Sequence, residues 1–304
     1  METHTKKRTP EEFVKEYSTP LSIVAAGALI ALTIYVDPPS RLPDSVGADD
    51  RTDLQESVLP TDGVTLPVTW GDLGAKLVEV GAIDRVKLEA LYESRGGFPK
   101  EYQKLIENNQ NDKIVITNWN SGYLLNLLWA LGLANKNPIL EDKGEMMNPA
   151  YKGAGNFAST GGWTLAKGSA MDHYNMHSLV TLTAEQQALV DRVSRGIYRP
   201  CCGNSTHFPD CNHGMAMLGL LELMASQGVG EQDIYKTALA VNSYWFPDTY
   251  LTIATYMQQK GTAWKDVSPQ EMLSAPYSSS SGYRDISSQV TQPQQGQGGG
   301  GCSA

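Results

Sequence analysis

Basic residues are scarce in this sequence. Lysine and arginine total 24 against 33 aspartates and glutamates, the net charge is −9, and no long basic run occurs in the 304 residues. A protein that binds nucleic acid needs a basic surface that displaces counterions from the phosphates. The composition therefore predicts no nucleic-acid partner, and the acidic balance is typical of a soluble surface.

Several motifs that carry chemistry are also missing. The chain has no Cys-x-x-Cys, and its Gly-rich stretch at 151–168 lacks the G-x-x-x-x-G-K-[ST] pattern of a phosphate-binding loop. No defensible order of serine, histidine and aspartate points to a hydrolase. Strand signals are sparse, and the best is DKIVIT at 112–117. These absences favour an all-α protein and give no motif for catalysis.

An uncharged apolar stretch covers residues 20–36, a length of 17 residues that reaches the short end of a membrane span. Tyr17 and Tyr35 lie at its ends, as interfacial aromatics do. The basic residues before it are Lys6, Lys7, Arg8 and Lys15. The positive-inside bias predicts a cytoplasmic N-terminus and an uncleaved anchor. The alternatives are a buried core helix or a signal peptide, although no small-x-small cleavage site follows.

These signals divide the chain into five parts. We expect a cytoplasmic N-terminus at 1–19, a transmembrane anchor at 20–36, an extended Pro/Asp/Gly-rich linker at 37–68, a helical extracytoplasmic domain at 69–276 and a disordered Ser/Gln/Gly-rich tail at 277–304. The predicted fold class is all-α, with at most a minor β-hairpin. The predicted location is the cell membrane, with a single pass and a possible protein partner at the cell surface.

Capping residues predict the helices of the domain. Thr69, Asp84 and Asp210 each precede a periodic stretch, and Thr183 with Gln186 forms a capping-box pattern. The stretches GYLLNLLWALGLA and MAMLGLLELMA are apolar on nearly every side, so we expect them to be central buried helices in contact or nearly so. Glu222 is the one charge in the second of these, and amphipathicity favours a solvent-facing role over a catalytic one.

Cysteine and histidine are rare, yet they cluster. Of four cysteines and five histidines, seven fall within the 41 residues from 173 to 213. They are Cys201, Cys202, Cys211, His173, His177, His207 and His213. Thiolates and imidazoles together are the ligands of zinc or copper. The sequence therefore predicts a transition-metal site.

The spacing suggests how these ligands meet. Cys211 follows Asp210 at a predicted helix start, where free N–H groups and the helix dipole favour a thiolate. His173 and His177 are four residues apart and would share one helix face. We expect Cys201 or Cys202 with Cys211 and His213 to form one side of the site, and His207 or the histidine pair to complete it. Thioethers from Met215 and Met217 would favour copper.

Two other interpretations of the cluster stay open. A disulfide from Cys201 or Cys202 to Cys211 could staple the loop to the helix, with Cys302 of the tail available to an odd thiol. Thiol–disulfide exchange would use the same residues as a redox pair. A stapled interaction domain would have no chemistry at all.

Two segments resemble known bacterial families. The stretch EEFVKEYSTPLSIVAAGALIALTIYV resembles the anchor of membrane-tethered DsbA-like oxidoreductases, which implies location alone. The stretch from Ile197 to Leu239 is similar to the Cys/His segment of extracytoplasmic lipoproteins with a PCYCGC motif, although it reads PCCGN here. This resemblance implies a metal site at Cys201, Cys202, Cys211 and His213. We therefore expect a membrane-tethered metal carrier, sensor or chaperone rather than an enzyme.

Overall fold

A computed structural model describes residues 48–107 and 109–290 of the chain. Twelve α-helices and two strands are present in these residues. The order is α1 Ala48–Val58, β1 Val64–Gly71, α2 Leu73–Glu79, α3 Arg85–Glu93, α4 Lys100–Glu107, β2 Gln110–Ile116, α5 Ser121–Ala134, α6 Ala184–Gly196, α7 Asn212–Ser226, α8 Glu231–Trp245, α9 Pro247–Gln259, α10 Pro269–Met272, α11 Ala275–Ser278 and α12 Ser280–Ser287. Short 3-10 turns occupy parts of the long connection between α5 and α6.

The core forms around α5 and α7, the two apolar helices predicted to be central. Every residue of α5 from Tyr123 to Ala134 is buried. The helices cross with their backbones in contact at Gly132 and Gly219. A Cβ at Gly132 would lie 2.1 Å from the Met215 carbonyl oxygen, and one at Gly219 would lie 2.4 Å from that of Leu128. The prediction that these helices pack together is confirmed, and glycine is what permits so close an approach.

The all-α fold class is wrong, because β1 and β2 form a two-stranded antiparallel sheet with Val64 opposite Ile116. The strands are not a hairpin, since α2, α3 and α4 lie between them in the chain. The side chains of Leu66, Val68 and Trp70 are buried at every second position of β1, which is the period of a strand. This alternation extends to Trp70, so the helix that we expected to begin after Thr69 begins at Leu73 instead.

The extended linker predicted for 37–68 is also corrected. Helix α1 and the first residues of β1 occupy its described part, and Val58 and Leu59 are buried in the core. The anchor at 20–36 lies outside the described residues. Among the helices of residues 48–107 and 109–290, none combines the length and apolar character that crossing a membrane requires.

The disordered tail predicted from residue 277 is wrong as far as residue 290. Helices α11 and α12 lie there, and Ile286 and Val290 are buried. Serine makes this possible, because Ser279 caps α12 by accepting a hydrogen bond from the Gly282 N–H, and the Ser278 hydroxyl is 2.7 Å from that of Tyr250. Residues 291–304 lie outside the described part of the chain.

Candidate metal centre

The cysteine loop connects α6 to α7 and is folded back on itself. Tyr198 and Ser205 form an antiparallel bridge, and the Ile197 carbonyl accepts hydrogen bonds from the backbone N–H and the hydroxyl of Thr206, at 2.7 and 3.0 Å. The Ser280 N–H of α12 donates to the Cys202 carbonyl at 2.9 Å. The loop therefore returns to the start of α7, and the hydrogen bond from α12 holds it there.

Two groups of potential metal ligands share Cys211 at this point. The Sγ atoms of Cys201 and Cys211 are 3.5 Å apart, and one ring nitrogen of His213 lies within 4.8 Å of both. Cys202 Sγ lies 3.9 Å from the Asp210 carboxylate and within 4.8 Å of Cys211 Sγ. All three cysteines are free thiols that are partly exposed to solvent. Either group could hold a metal ion; Cys201, Cys211 and His213 are one of the predicted combinations, whereas Cys202 shares its group with Asp210 rather than with His213.

Cys211, rather than Asp210, caps α7. Its sulfur accepts a hydrogen bond from the Gly214 N–H at 3.4 Å. Asp210 was expected in that role, but its carboxylate accepts hydrogen bonds from Arg199 at 2.5 Å and from Asn204 at 2.8 Å. The shift by one residue places a thiol where the free N–H groups of the helix end point.

Arg199 is a residue of the candidate site that the sequence did not predict. Its guanidinium is 1% exposed, and its Nε atom donates to Cys211 Sγ at 2.9 Å. The two Nη atoms donate to the carbonyls of Asn204 and Phe208 at 3.1 and 2.9 Å. Gly214 leaves the space for it, since a Cβ there would lie 2.5 Å from Arg199 Cζ. The available signal was the position of a cation two residues before Cys201.

These contacts favour a thiolate at Cys211. Hydrogen bonds from Cys201 and Cys202 hold the pKa of Cys211 well below its usual range, and Arg199 and His213 lower it further, while burial opposes them. Hydrogen bonding to Cys202 and Cys211 raises the pKa of Cys201. These contacts favour Cys211 over the neighbouring thiols as the site of a negative charge. A thiolate is both the metal ligand and the nucleophile of cysteine chemistry.

His213 has a buried nitrogen atom without a hydrogen-bond partner. That atom is Nδ1, and the ring packs 4.4 Å from that of Phe246. A buried polar atom left unpaired is unfavourable, so native structures nearly always satisfy it. A metal ion or a water molecule bound at this imidazole would do so.

The other three predicted histidines do not reach the thiols. His207 contacts Glu145 and Asp191 instead. His173 and His177 touch each other, with Nδ1 of the first 3.1 Å from Nε2 of the second. They are not on one helix face, because the 3-10 turn ends at Asp172 and Asn175 has a left-handed backbone. None of the three completes the thiol site as expected.

Three further side chains differ from expectation. Met215 and Met217 are buried in the hydrophobic core, which accounts for both without a role as thioether ligands. Glu222 was expected to face solvent, yet it is fully buried, and its carboxylate accepts hydrogen bonds from Asn135 and Asn137 at 3.2 and 2.7 Å. Burial raises the pKa of Glu222 to about 8. Helical periodicity did not reveal this, because α7 is covered on all sides.

Comparisons with protein-family models, curated proteins and solved structures found no match to this chain. The resemblances to DsbA-like anchors and to PCYCGC lipoproteins therefore stay predictions. The function is therefore inferred from the geometry of the site.

Proposed function

We propose that this protein binds one transition-metal ion through Cys201, Cys202, Cys211 and His213, and acts as a metal carrier or sensor. The observation that carries the proposal is that ligand atoms of Cys201, Cys211 and His213 lie within 4.8 Å of one another at the start of α7, with Cys202 Sγ within 4.8 Å of Cys211 Sγ. Partial exposure of all three cysteines gives a metal ion access to the sulfurs. A reversible site needs such access, whereas a purely structural site is closed.

The ligand set favours zinc. A tetrahedral zinc ion with bonds of about 2.3 Å to sulfur keeps two thiolates about 3.8 Å apart. The sulfurs of Cys201 and Cys211 are 3.5 Å apart, so a small outward movement would admit the ion. Copper would be favoured by thioether ligands, but Met215 and Met217 belong to the core.

The charges of the site are compatible with zinc. Three thiolates and a dication sum to one negative charge, and the buried Arg199 supplies one positive charge beside Cys211. Asp210, whose carboxylate binds the same guanidinium, leaves the site with one net negative charge. Buried charges are tolerated when they are paired in this way.

The test is the metal content of protein purified without a histidine tag. Wild-type protein should contain close to one zinc per chain by elemental analysis, and Cys211→Ala and His213→Ala should each lose most of it. His177→Ala is the matched control, because His177 touches His173 rather than the thiols and should retain the metal. Unchanged stoichiometry in both cluster variants would rule the site out. Loss of metal with the fold intact supports a carrier or sensor, and collapse of the fold makes the metal structural.

Thiol–disulfide exchange is the second candidate, and the Arg199–Cys211 contact favours it. The Cys211 thiolate would attack one sulfur of a partner disulfide and release the other as a thiolate. Cys201, 3.5 Å away, would then attack Cys211 Sγ and release the partner's second thiol. The partner disulfide is reduced by two electrons, and a Cys201–Cys211 disulfide forms. Protein that contains no metal and forms this disulfide in mild oxidant would favour exchange over metal binding.

A further inference from the structure

His207 occupies a second polar cluster, beside α6. Its imidazole is 1% exposed, and both ring nitrogens are engaged. Nδ1 lies 2.5 Å from Glu145 Oε2, and Nε2 lies 2.9 Å from Asp191 Oδ1. Imidazole and carboxylate groups are common metal ligands, and these three do not belong to the thiol site.

Two carboxylates approach this imidazole from the turn after the 3-10 helix Pro138–Glu141. Ligand atoms of Asp142, Glu145 and His207 all lie within 4.8 Å of one another. The turn itself is fixed, because the Asp142 carboxylate accepts the Gly144 N–H at 2.7 Å and its carbonyl accepts the Glu145 and Met147 N–H groups at 3.2 and 2.9 Å. Local hydrogen bonds therefore hold the Asp142 carboxylate and the backbone of Glu145 in place before any ligand binds.

Asp191 and Arg195 on α6 supply an outer layer. For Nδ1 of His207 to bind a metal ion, Nε2 must carry the ring proton and donate it to Asp191, 2.9 Å away. Arg195 binds both oxygens of Asp191 and also lies 2.7 Å from His207 Nε2. Metal-bound histidines usually donate their second N–H to a carboxylate in this manner, which fixes the ring and raises its basicity. A metal ion bound here would lie between Nδ1 of His207 and the Glu145 carboxylate, in place of the hydrogen bond between them.

A cavity of about 520 Å³ opens beside these residues. Asp142, Asp191 and His207 line it together with Pro138, Ile139 and Gln187. The cavity gives a cation a route from solvent to an imidazole that is otherwise enclosed. It also leaves room for water molecules to complete the coordination of an ion.

We propose that Asp142, Glu145 and His207 form a second metal site, separate from the thiols, for a divalent first-row cation that prefers oxygen ligands, such as Mn²⁺ or Fe²⁺. One imidazole and two carboxylates are harder ligands than three thiolates and an imidazole. The two sites therefore differ in preference, and the carboxylate site takes the cation that the thiol site binds poorly.

Mn²⁺ is the probe that separates the two sites, because thiolates bind it weakly. Full-length protein, stripped by chelator and kept reduced, is titrated with Mn²⁺ while electron paramagnetic resonance reports the free ion. Wild-type protein should bind one Mn²⁺ per chain. Asp142→Asn and Glu145→Gln should each weaken binding by about tenfold or more, since each removes one ligand charge, and Asp191→Asn should weaken it about 10–100-fold through the outer layer.

Two controls make the outcome specific. Glu141→Gln changes an exposed carboxylate that hydrogen-bonds Asn175 rather than His207, and it should bind Mn²⁺ as the wild type does. Cys211→Ala should also retain Mn²⁺, so that failure of the thiol site and failure of this one are distinguishable. Circular dichroism confirms the fold of each variant, and the partly exposed Asp142 gives the variant with least effect on folding. A wild type that binds no Mn²⁺ at millimolar concentration, or an Asp142→Asn variant with wild-type affinity, would overturn the proposal.

Discussion

Arg199 is the residue on which the chemistry of the thiol cluster depends. It is the buried cation beside Cys211, and all of its described contacts are to the cysteine loop. The loop carbonyls of Asn204 and Phe208 and the Asp210 carboxylate use the same guanidinium. One side chain therefore both shapes the loop and stabilises the thiolate, and the two effects can be separated by measurement.

Replacing Arg199 with Met should raise the pKa of Cys211, because a cation that favours the thiolate is removed. In reduced, metal-free protein the rate of alkylation by iodoacetamide at Cys211, followed by mass spectrometry, should reach half its maximum at a higher pH than in the wild type. The variant should also lose about 3–5 kcal/mol of stability, since Asp210 is left without its buried partner. Arg192→Met, which removes an exposed arginine paired with Glu231, is the matched control and should change neither quantity appreciably. An unchanged alkylation midpoint in Arg199→Met would contradict this role.

At the scale of the elements, Glu222 joins three helices through buried amides. Its carboxylate lies on α7, Asn135 ends α5, and Asn137 is in turn bound by Gln187 of α6 at 3.0 Å. A charged carboxylate is unfavourable in such surroundings, so burial raises its pKa to about 8. The helices are thus held together by a group that is protonated more readily in the folded chain than in the unfolded one.

This arrangement predicts a pH dependence. The folded pKa of Glu222 is above the unfolded value, so its contribution is fully present below the unfolded pKa and is lost as the pH rises toward about 8. The free energy of unfolding of the wild type should fall by about 3–4 kcal/mol between about pH 5 and pH 8 through this group. Glu222→Gln, which is neutral throughout, should lack that part of the fall in urea denaturation. Glu79→Gln, which changes an exposed carboxylate, should show the same pH dependence as the wild type. If the stability of Glu222→Gln falls with pH as steeply as that of the wild type, the prediction is refuted.

The elements that the sequence predicted well are those whose signals are local. Asp84 caps α3, and the Thr183–Gln186 capping box begins α6, as expected. The partner of β1 is β2, about 40 residues away, so propensity alone could not reveal that the end of the predicted linker, residues 64–68, belongs to a strand. The thiol site was predicted from clustering in sequence, whereas Arg199 and the Glu145–His207 contact depend on how the loops close in space.

At the scale of the whole molecule, the C-terminal segment 277–290 completes the fold although its composition is typical of a flexible tail. Ser278 Oγ donates to the Met272 carbonyl at 2.6 Å and lies 2.7 Å from the Tyr250 hydroxyl. Ile286 and Val290 are buried, and Ser280 holds the Cys202 carbonyl. Composition predicts disorder where apolar residues are few, but here two buried side chains and several satisfied hydroxyls are enough. The stability of the domain and the order of the thiol loop are therefore linked through one segment.

Two truncated chains test this link. A chain that ends at residue 276 follows the predicted domain boundary, and a chain that ends at residue 290 retains α11 and α12. Each buried Ile or Val side chain contributes about 1.5–3 kcal/mol, so the shorter chain should be less stable than the longer one by about 3 kcal/mol or more in urea denaturation. It should also bind zinc more weakly under conditions where both chains are folded, because the Cys202 carbonyl loses its donor from α12 and the loop must be ordered when the ion binds. Ser281→Ala in the full-length chain is the control. It changes the sequence of this segment but keeps the hydrogen bond from the Ser280 N–H to the Cys202 carbonyl. If the two truncated chains unfold at the same urea concentration and bind zinc equally, residues 277–290 support neither the fold nor the site.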